Sequence, residues 1–169
     1  MRKTHRTNNR STLEQLALLL FLAMMTLSLS ACGSKGALQE STATYNQDNM
    51  QVEIKYDIKD DQVIKMVQTT TIDFSAAPEE VREQVVEAGK QAEALYASID
   101  GTTYESDING DHCKEVITMD LSKKDTVKAL VGAGLLPASD KNVELISFEK
   151  TREAMEQHGW TYTDPVDKK

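Results

Sequence analysis

From Met50 to Ile58 apolar and polar positions alternate without a break, Met50, Val52, Ile54, Tyr56 and Ile58 set against Gln51, Glu53, Lys55 and Asp57. A period of two marks a half-buried strand. Lys59-Asp60-Asp61 then reads as a polar turn, and "QVIKMVQTTTIDF" returns to the β-branched, threonine-rich composition that strands favour. The pair predicts a β-hairpin. Pro78 suits the first turn of a helix, and Glu79 and Glu80 complement the positive end of its dipole. Val81, Val85, Ala88, Ala92, Leu95 and Ile99 recur at helical spacing, so a helix with that inner face is expected, closing before Gly101.

The pattern then begins again. "TTYESDI" has strand character, Asn109-Gly110 is a strong hairpin signal, and Cys113, Ile117, Met119 and Leu121 share one phase of the next strand. Ser122 and Asp125 resemble a capping box opening a second helix around Lys123 to Val131, which "GAGLLP" ends. A last helix is predicted from Phe148 to His158, closed by Gly159, with Trp160 and Tyr162 packing back on the domain. Asp57-Ile58-x-x-Asp61 matches Asp107-Ile108-x-x-Asp111, and Thr71-Ile72-Asp73-Phe74-Ser75 matches Thr118-Met119-Asp120-Leu121-Ser122. The expected fold is therefore α+β: an antiparallel sheet built from two β-hairpin-plus-helix units, helices on one face, with an additional C-terminal helix.

The N-terminal region follows a different pattern. Arg2, Lys3, Arg6 and Arg10 precede a 14-residue uncharged apolar run, Leu16 to Leu29. A membrane-crossing helix needs about 20 apolar residues, so the order and length fit a signal peptide over residues 1–31. Leu29-Ser30-Ala31-Cys32 resembles the bacterial lipobox, in which the cysteine thiol is linked to diacylglycerol and the chain is cut just before it. That resemblance implies cleavage between Ala31 and Cys32 and lipid attachment at Cys32. The expected location is the extracytoplasmic side of the cell membrane, held in the bilayer by acylated Cys32. Residues 33–49 are small and polar, and a flexible tether is expected there, followed by one domain over 50–163 and a tail over 164–169.

Charge narrows the partners. The leader holds four of the 19 basic residues and one of the 27 acidic ones, leaving 15 against 26 and a formal charge of -11 on the mature chain. Such a surface is a poor match for phosphate backbones, so no nucleic-acid partner is expected. With Cys32 lipidated, Cys113 has no intramolecular disulfide partner.

The hairpin with its "QTTTIDF" run, "SIDGTTYE", the "ITMDLSKKD" junction and "ISFEKTREAMEQHGW", in that order behind a lipobox, together resemble the YehR-like family of bacterial lipoproteins. The resemblance implies a small α+β lipoprotein of unassigned function and carries over no site residues.

Candidate chemistry is sparse. Asp107-Ile108-Asn109-Gly110-Asp111 has oxygen ligands at alternate positions, but a calcium loop wants glycine sixth and glutamate twelfth, where His112 and Thr118 stand. A hairpin turn accounts for the same residues. Zinc would need three or four ligands from His112, Cys113 and His158, and the adjacent first two point to opposite faces of a strand. No metal or cofactor is expected; Cys113 reads as a small buried hydrophobe, and no nucleophile elbow or phosphate loop occurs. Asp73 and Asp120 each end a strand before a helix, and Tyr56 and Tyr104 occupy comparable strands. Two readings follow: a shared acidic patch, or aspartates that tie down strand-to-helix turns through local backbone hydrogen bonds, which is the simpler. The function expected is a non-catalytic binding or accessory module whose partner is an envelope protein or wall component. The alternatives are an envelope hydrolase with carboxylates around Asp73, Asp120 and His112, and a transporter-associated solute-binding protein.

Overall fold

The computed structural model describes residues 36–136 and 143–168. The expected signal peptide, cleavage position and Cys32 lie outside the described residues. Ten elements follow in order: β1 (Gln39–Gln47), β2 (Met50–Lys59), β3 (Gln62–Asp73), α1 (Glu79–Ala97), β4 (Thr102–Asn109), β5 (His112–Asp120), α2 (Lys124–Gly132), α3 (Phe148–Glu156), β6 (Thr161–Tyr162) and β7 (Val166–Asp167). The strands form one antiparallel sheet in the order β4-β5-β3-β2-β1-β6, with β7 also paired to β1. Two hairpins, each followed by a helix, supply four adjacent strands from the β4 edge inward, and α3 stands near the C-terminus, as expected for this α+β architecture.

The expected domain boundaries are too narrow. Residues 39–47, expected within a tether, pair with β2 along their whole length, from Gln39 opposite Ile58 to Gln47 opposite Met50. The expected tail contributes β7, in which Val166 and Asp167 pair with Glu40 and Gln39. Ser41, Ala43 and Tyr45 point to the core, but a serine and an alanine carry too little apolar contrast to register as a strand period.

The turns fix the registers. Asp60 and Asp61 both take positive φ, at 52° and 62°, which matches the twist of a two-residue hairpin loop. The β4–β5 loop is Gly110-Asp111, one residue later than an Asn109-Gly110 centre, because Asn109 still pairs with His112 and Gly110 alone takes positive φ, 58°. The expected capping box does not form. Lys123 occupies the N-cap of α2 without a side-chain bond, and Ser122 donates its hydroxyl to Asp120 Oδ1 at 2.5 Å. α3 is capped by Ser147, whose Oγ accepts from the Lys150 N–H and donates to Asp61 Oδ2. Asp61 Oδ1 takes the Glu149 N–H as well, so the β2–β3 turn and the start of α3 form one knot.

The three helices among the described residues pack on one face of the sheet. Ile54, Tyr56, Ile58, Val63, Ile117 and Met119 from the strands meet Val127 and Leu130 of α2 and Phe148 and Met155 of α3 in the main core. A smaller cluster of Ile72, Phe74 and Cys113 lies at the other end, beside Val85 of α1. The inner face of α1 is rotated from the expected one. Val85, Gly89, Ala92 and Tyr96 face inward, while Ala88 is exposed and Leu95 is 40% exposed. Cys113, at 1% exposure, is the small buried hydrophobe anticipated.

Candidate functional site

The helix-free face of the sheet carries the alternate set of side chains: Glu40 and Thr42 on β1, Lys55 and Asp57 on β2, Lys65 and Val67 on β3. An antiparallel sheet with one solvated face produces this separation directly. Near the start of β1 these residues, joined by Lys168 from the C-terminal segment, line a depression of about 250 Å³. Lys168 reaches it because its backbone N–H donates to the Leu38 carbonyl, and its Nζ lies 2.6 Å from Asp57 Oδ1. That contact, then the nearby charge of Glu40, raises the Lys168 ammonium above its usual range. Lys65 stands opposite Asp57 on one side and Asp120 on the other, whereas Lys55 faces Thr42 and Val67, with no carboxylate directly across. The depression thus draws three ammonium groups and two carboxylates from three strands and the C-terminal segment.

The opposite face holds a buried polar seam beneath α1. Tyr104 donates its hydroxyl to Glu115 Oε1 at 2.5 Å, and Glu115 is only 7% exposed. Thr70 lies opposite Glu115 on β3, Ser106 lies opposite it on β4, and the Gln68 amide donates to Thr70. Gly89 permits the helix to approach, since a Cβ there would stand 3.2 Å from the Tyr104 hydroxyl oxygen. Burial, then the bond to Glu115, pushes the Tyr104 phenol up, and burial followed by the Glu115 charge pushes up the Cys113 thiol. The Cys113 thiol is therefore a packing group and a poor nucleophile.

The carboxylates singled out by the repeat do not meet. Asp73 pairs with His112, and Asp120 pairs with Lys65, eight positions away along β3. At about 3.4 Å per residue the two aspartates are roughly 27 Å apart, so no shared acidic patch exists. Two equivalent units laid antiparallel in one sheet necessarily send equivalent strand ends in opposite directions. Each aspartate instead holds its own turn. Asp73 Oδ1 accepts from the Ser75 N–H at 2.8 Å, and that bond is the largest cause of its lowered pKa. Asp120 is lowered chiefly by the Ser122 hydroxyl.

The structure does bring His112 close to Asp73, Nδ1 to Oδ1 at 4.0 Å, with side-chain exposures of 65% and 47%. An exposed pair in water, with the carboxylate held ionised, lacks the desolvation that poises a general base. Neither residue lines the depression. Among the described residues no group of three or more histidine, cysteine, aspartate or glutamate side chains is arranged to hold a metal ion. No helix among them is long and apolar enough to cross a membrane. Sequence reasoning missed the lysine depression because its members alternate with core residues on separate strands, and missed Glu115 because nothing in "HCKEVITMD" marks a buried carboxylate.

A small α+β domain built on one antiparallel sheet, with helices on one face and an open polar face on the other, defines the class of this protein. Residues 40–161 match the family described as "Protein of unknown function (DUF1307)", and the chain belongs to that family. The fold is similar to the NMR structure of the Escherichia coli YehR protein, with 21% identity, a TM-score of 0.59, and coverage of 78% of this chain and 94% of that one. An NMR structure of a protein from Streptococcus pneumoniae TIGR4 aligns over 96% of this chain and 99% of its own, with 12% identity and a TM-score of 0.49. No curated protein matches the chain.

Proposed function

We propose that this chain is a lipid-anchored protein of the bacterial envelope, facing away from the cytoplasm, and that it works as a binding or accessory module. The observation that carries the reading is Leu29-Ser30-Ala31-Cys32, a lipobox-like quartet behind an apolar run of signal-peptide length. The folded domain supports it through position. Gly36 is already tied to the β2–β3 turn, its N–H donating to Asp60 Oδ1 at 2.7 Å, four residues after Cys32. Four residues extend at most about 14 Å, so an acylated Cys32 would keep the domain against the bilayer surface. Its partner would then be membrane-proximal: a neighbouring envelope protein or wall component. The binding reading is preferred to an envelope hydrolase because Asp73 and Asp120 lie at opposite sheet ends and the Asp73–His112 pair is exposed.

The test is metabolic labelling with a fatty-acid analogue and a mass measurement of the mature N-terminus. Wild type is expected to take up label and begin at acylated Cys32, and Cys32→Ala to take up none while keeping its folded domain. An unlabelled wild-type chain that retains residues 1–31 would overturn the anchoring. Crosslinking in intact cells is expected to capture a membrane-proximal envelope component; capture of the chain alone would count against the binding role.

A further inference from the structure

The two edges of the sheet are finished differently. At one, the chain covers β1 with its own C-terminal segment: β6 pairs with Ala43 and Thr44, Thr163 donates its N–H to the Thr42 carbonyl, and β7 pairs with Gln39 and Glu40. At the other, β4 has β5 on one side and, among the described residues, no strand on its outer side. The Gly101 carbonyl accepts from the Asp120 N–H, and Asn109 and His112 flank a two-residue loop, so the odd-numbered residues of β4 turn their backbone groups to β5. The N–H and C=O of Tyr104, Ser106 and Ile108 therefore face outward. Sheet edges are commonly blunted by proline, lysine or a bulge. β4 has none of these, and its sequence, TTYESDIN, runs opposite β5 in unbroken register.

Charge selects what could lie there. Residues 79–120, spanning α1, β4 and β5, hold 11 of the 27 acidic side chains and three of the 19 basic ones, a local charge of -8 that equals the formal charge of the whole chain. Lys123 lies against Asp100 and Asp120, and Arg82 against Asp111. Glu105 and Asp107 are exposed on β4 and join no ion pair among the described residues, although Lys114 stands across from Asp107 on β5. A second copy of β4 fits poorly: in the antiparallel register centred on Ser106, Glu105 of each copy stands opposite Asp107 of the other, and like charges directly opposite destabilise a pair. A strand with lysine or arginine at alternate positions fits well. Its residues opposite Glu105 and Asp107 fall in non-hydrogen-bonded pairs, where side chains approach most closely. Its other residues lie on the helix side of the sheet, in line with Tyr104, Ser106 and Ile108, and Ile108 offers them an apolar surface that is 40% exposed.

We propose that the free edge of β4 takes an extended, alternately basic and apolar segment of another protein as an added antiparallel strand. Backbone bonds to Tyr104, Ser106 and Ile108 supply affinity, and the alternating side chains supply specificity. The proposal gives the binding reading above its surface and does not depend on the anchor.

The experiment uses the full chain in a nonionic detergent, with a short end-blocked peptide of alternating lysine and valine as the probe. Amide hydrogen exchange is read residue by residue by mass spectrometry. At ten times the peptide's dissociation constant, the amides of Tyr104, Ser106 and Ile108 are expected to exchange about tenfold more slowly, with those of α3 unchanged. Glu105→Lys combined with Asp107→Lys should weaken the peptide about tenfold, while unchanged Trp160 fluorescence shows the domain intact. Methylating the valine nitrogens, which face β4 in this register, should abolish binding; methylating the lysine nitrogens, which face away, should be tolerated. Unchanged exchange at the three amides would overturn the proposal. Equal affinity of the two methylated peptides would reduce the contact to charge attraction and overturn it too. Protection of the same amides without peptide, growing with protein concentration, would assign the edge to a second copy and overturn the basic segment. The crosslinking above separates this proposal from the reading it rests on: an envelope component captured only at positions away from residues 102–109 sinks the edge and keeps the binding module.

Discussion

The helix-covered face of the sheet is built in two ways. Under α3, Tyr56, Phe148 and Tyr162 pack ring against ring at 5.6 to 5.9 Å, and the two tyrosine hydroxyls meet each other at 3.3 Å and the Met155 sulfur at 3.5 and 3.0 Å. Under α1, Tyr96 stacks on Tyr104 at 5.9 Å, but the Tyr104 hydroxyl goes to the buried carboxylate of Glu115 and the helix crosses above it on a glycine. Both regions seat a helix on tyrosines. The first relies on apolar volume, which tolerates loss of a hydroxyl; the second relies on one charged partner and one missing side chain. The difference teaches that the β-hairpin-plus-helix unit fixes where a helix lies and leaves open what holds it there.

The largest expected effect strikes both regions together. Burial pushes Tyr96 and Tyr162 up to about 12, and raises Tyr56 and Tyr104 as well. The folded chain therefore keeps these protons at pH values where the unfolded chain, titrating near 10, has released them. Their contribution is whole below pH 10 and is lost as pH rises through the folded values. Urea midpoints should fall steeply between pH 10 and about 12. Glu115→Gln separates the regions, since its charge raises Tyr96 and Tyr104 and is absent from the causes acting on Tyr56 and Tyr162. Phenolate absorbance in that variant should develop earlier for two tyrosines; an unchanged titration curve would show that the carboxylate does not govern the seam.

Truncating the aromatic side comes next. Phe148→Ala removes a ring that is 3% exposed and touches both tyrosines, and should destabilise by about 3–5 kcal/mol in chemical unfolding. A loss under about 1 kcal/mol would mean that the cluster collapses around the gap, and that volume is not what holds α3.

How far these regions could be read from the chain differs for the same physical reason. Apolar volume writes a period: Met50 to Ile58 alternate cleanly, and Phe148 with Met155 mark the inner face of α3. Pro78 and the Asp60-Asp61 turn are equally local signals, so the β2–β3 and β4–β5 hairpins and the three helices among the described residues were legible. The inner face of α1 was not, because Gly89 and Tyr96 displace Ala88 and Leu95 from the apolar stripe, and a glycine has no hydrophobicity to count. β1 escaped because Ser41 and Ala43 are its core residues. The separation of Asp73 from Asp120 was hidden for another reason: a repeat shows that two units are alike, while their antiparallel placement is a property of the sheet.

Removing single hydroxyls gives the next effect in size. Tyr104→Phe leaves Glu115 Oε1 without its donor in a buried place, and should cost about 1–3 kcal/mol. Tyr162→Phe removes only bonds to a thioether and to a second hydroxyl, so its loss should stay below about 1 kcal/mol. Equal losses from the two, measured by urea unfolding at neutral pH, would erase the distinction between a carboxylate-held and a volume-held helix.

The smallest effect is the sharpest, because its sign is at stake. In the interior of an ordinary helix, alanine is favoured over glycine by about 0.8–1.0 kcal/mol, so Gly89→Ala should stabilise α1 if nothing stands in its way. The new Cβ would lie 3.2 Å from the Tyr104 hydroxyl oxygen. That oxygen is poorly placed to retreat, being held at 2.5 Å by Glu115 while its ring lies flat against Tyr96. Gly89→Ala in the wild-type chain is therefore expected to be neutral or destabilising. In a Tyr104→Phe background the obstructing atom is gone, and the same substitution should recover about 1 kcal/mol. The double-mutant cycle should show a coupling of about 1 kcal/mol between two residues on different elements. If Gly89→Ala stabilises both backgrounds equally, the Tyr104 hydroxyl gives way freely, and the glycine is not what lets α1 lie on the seam.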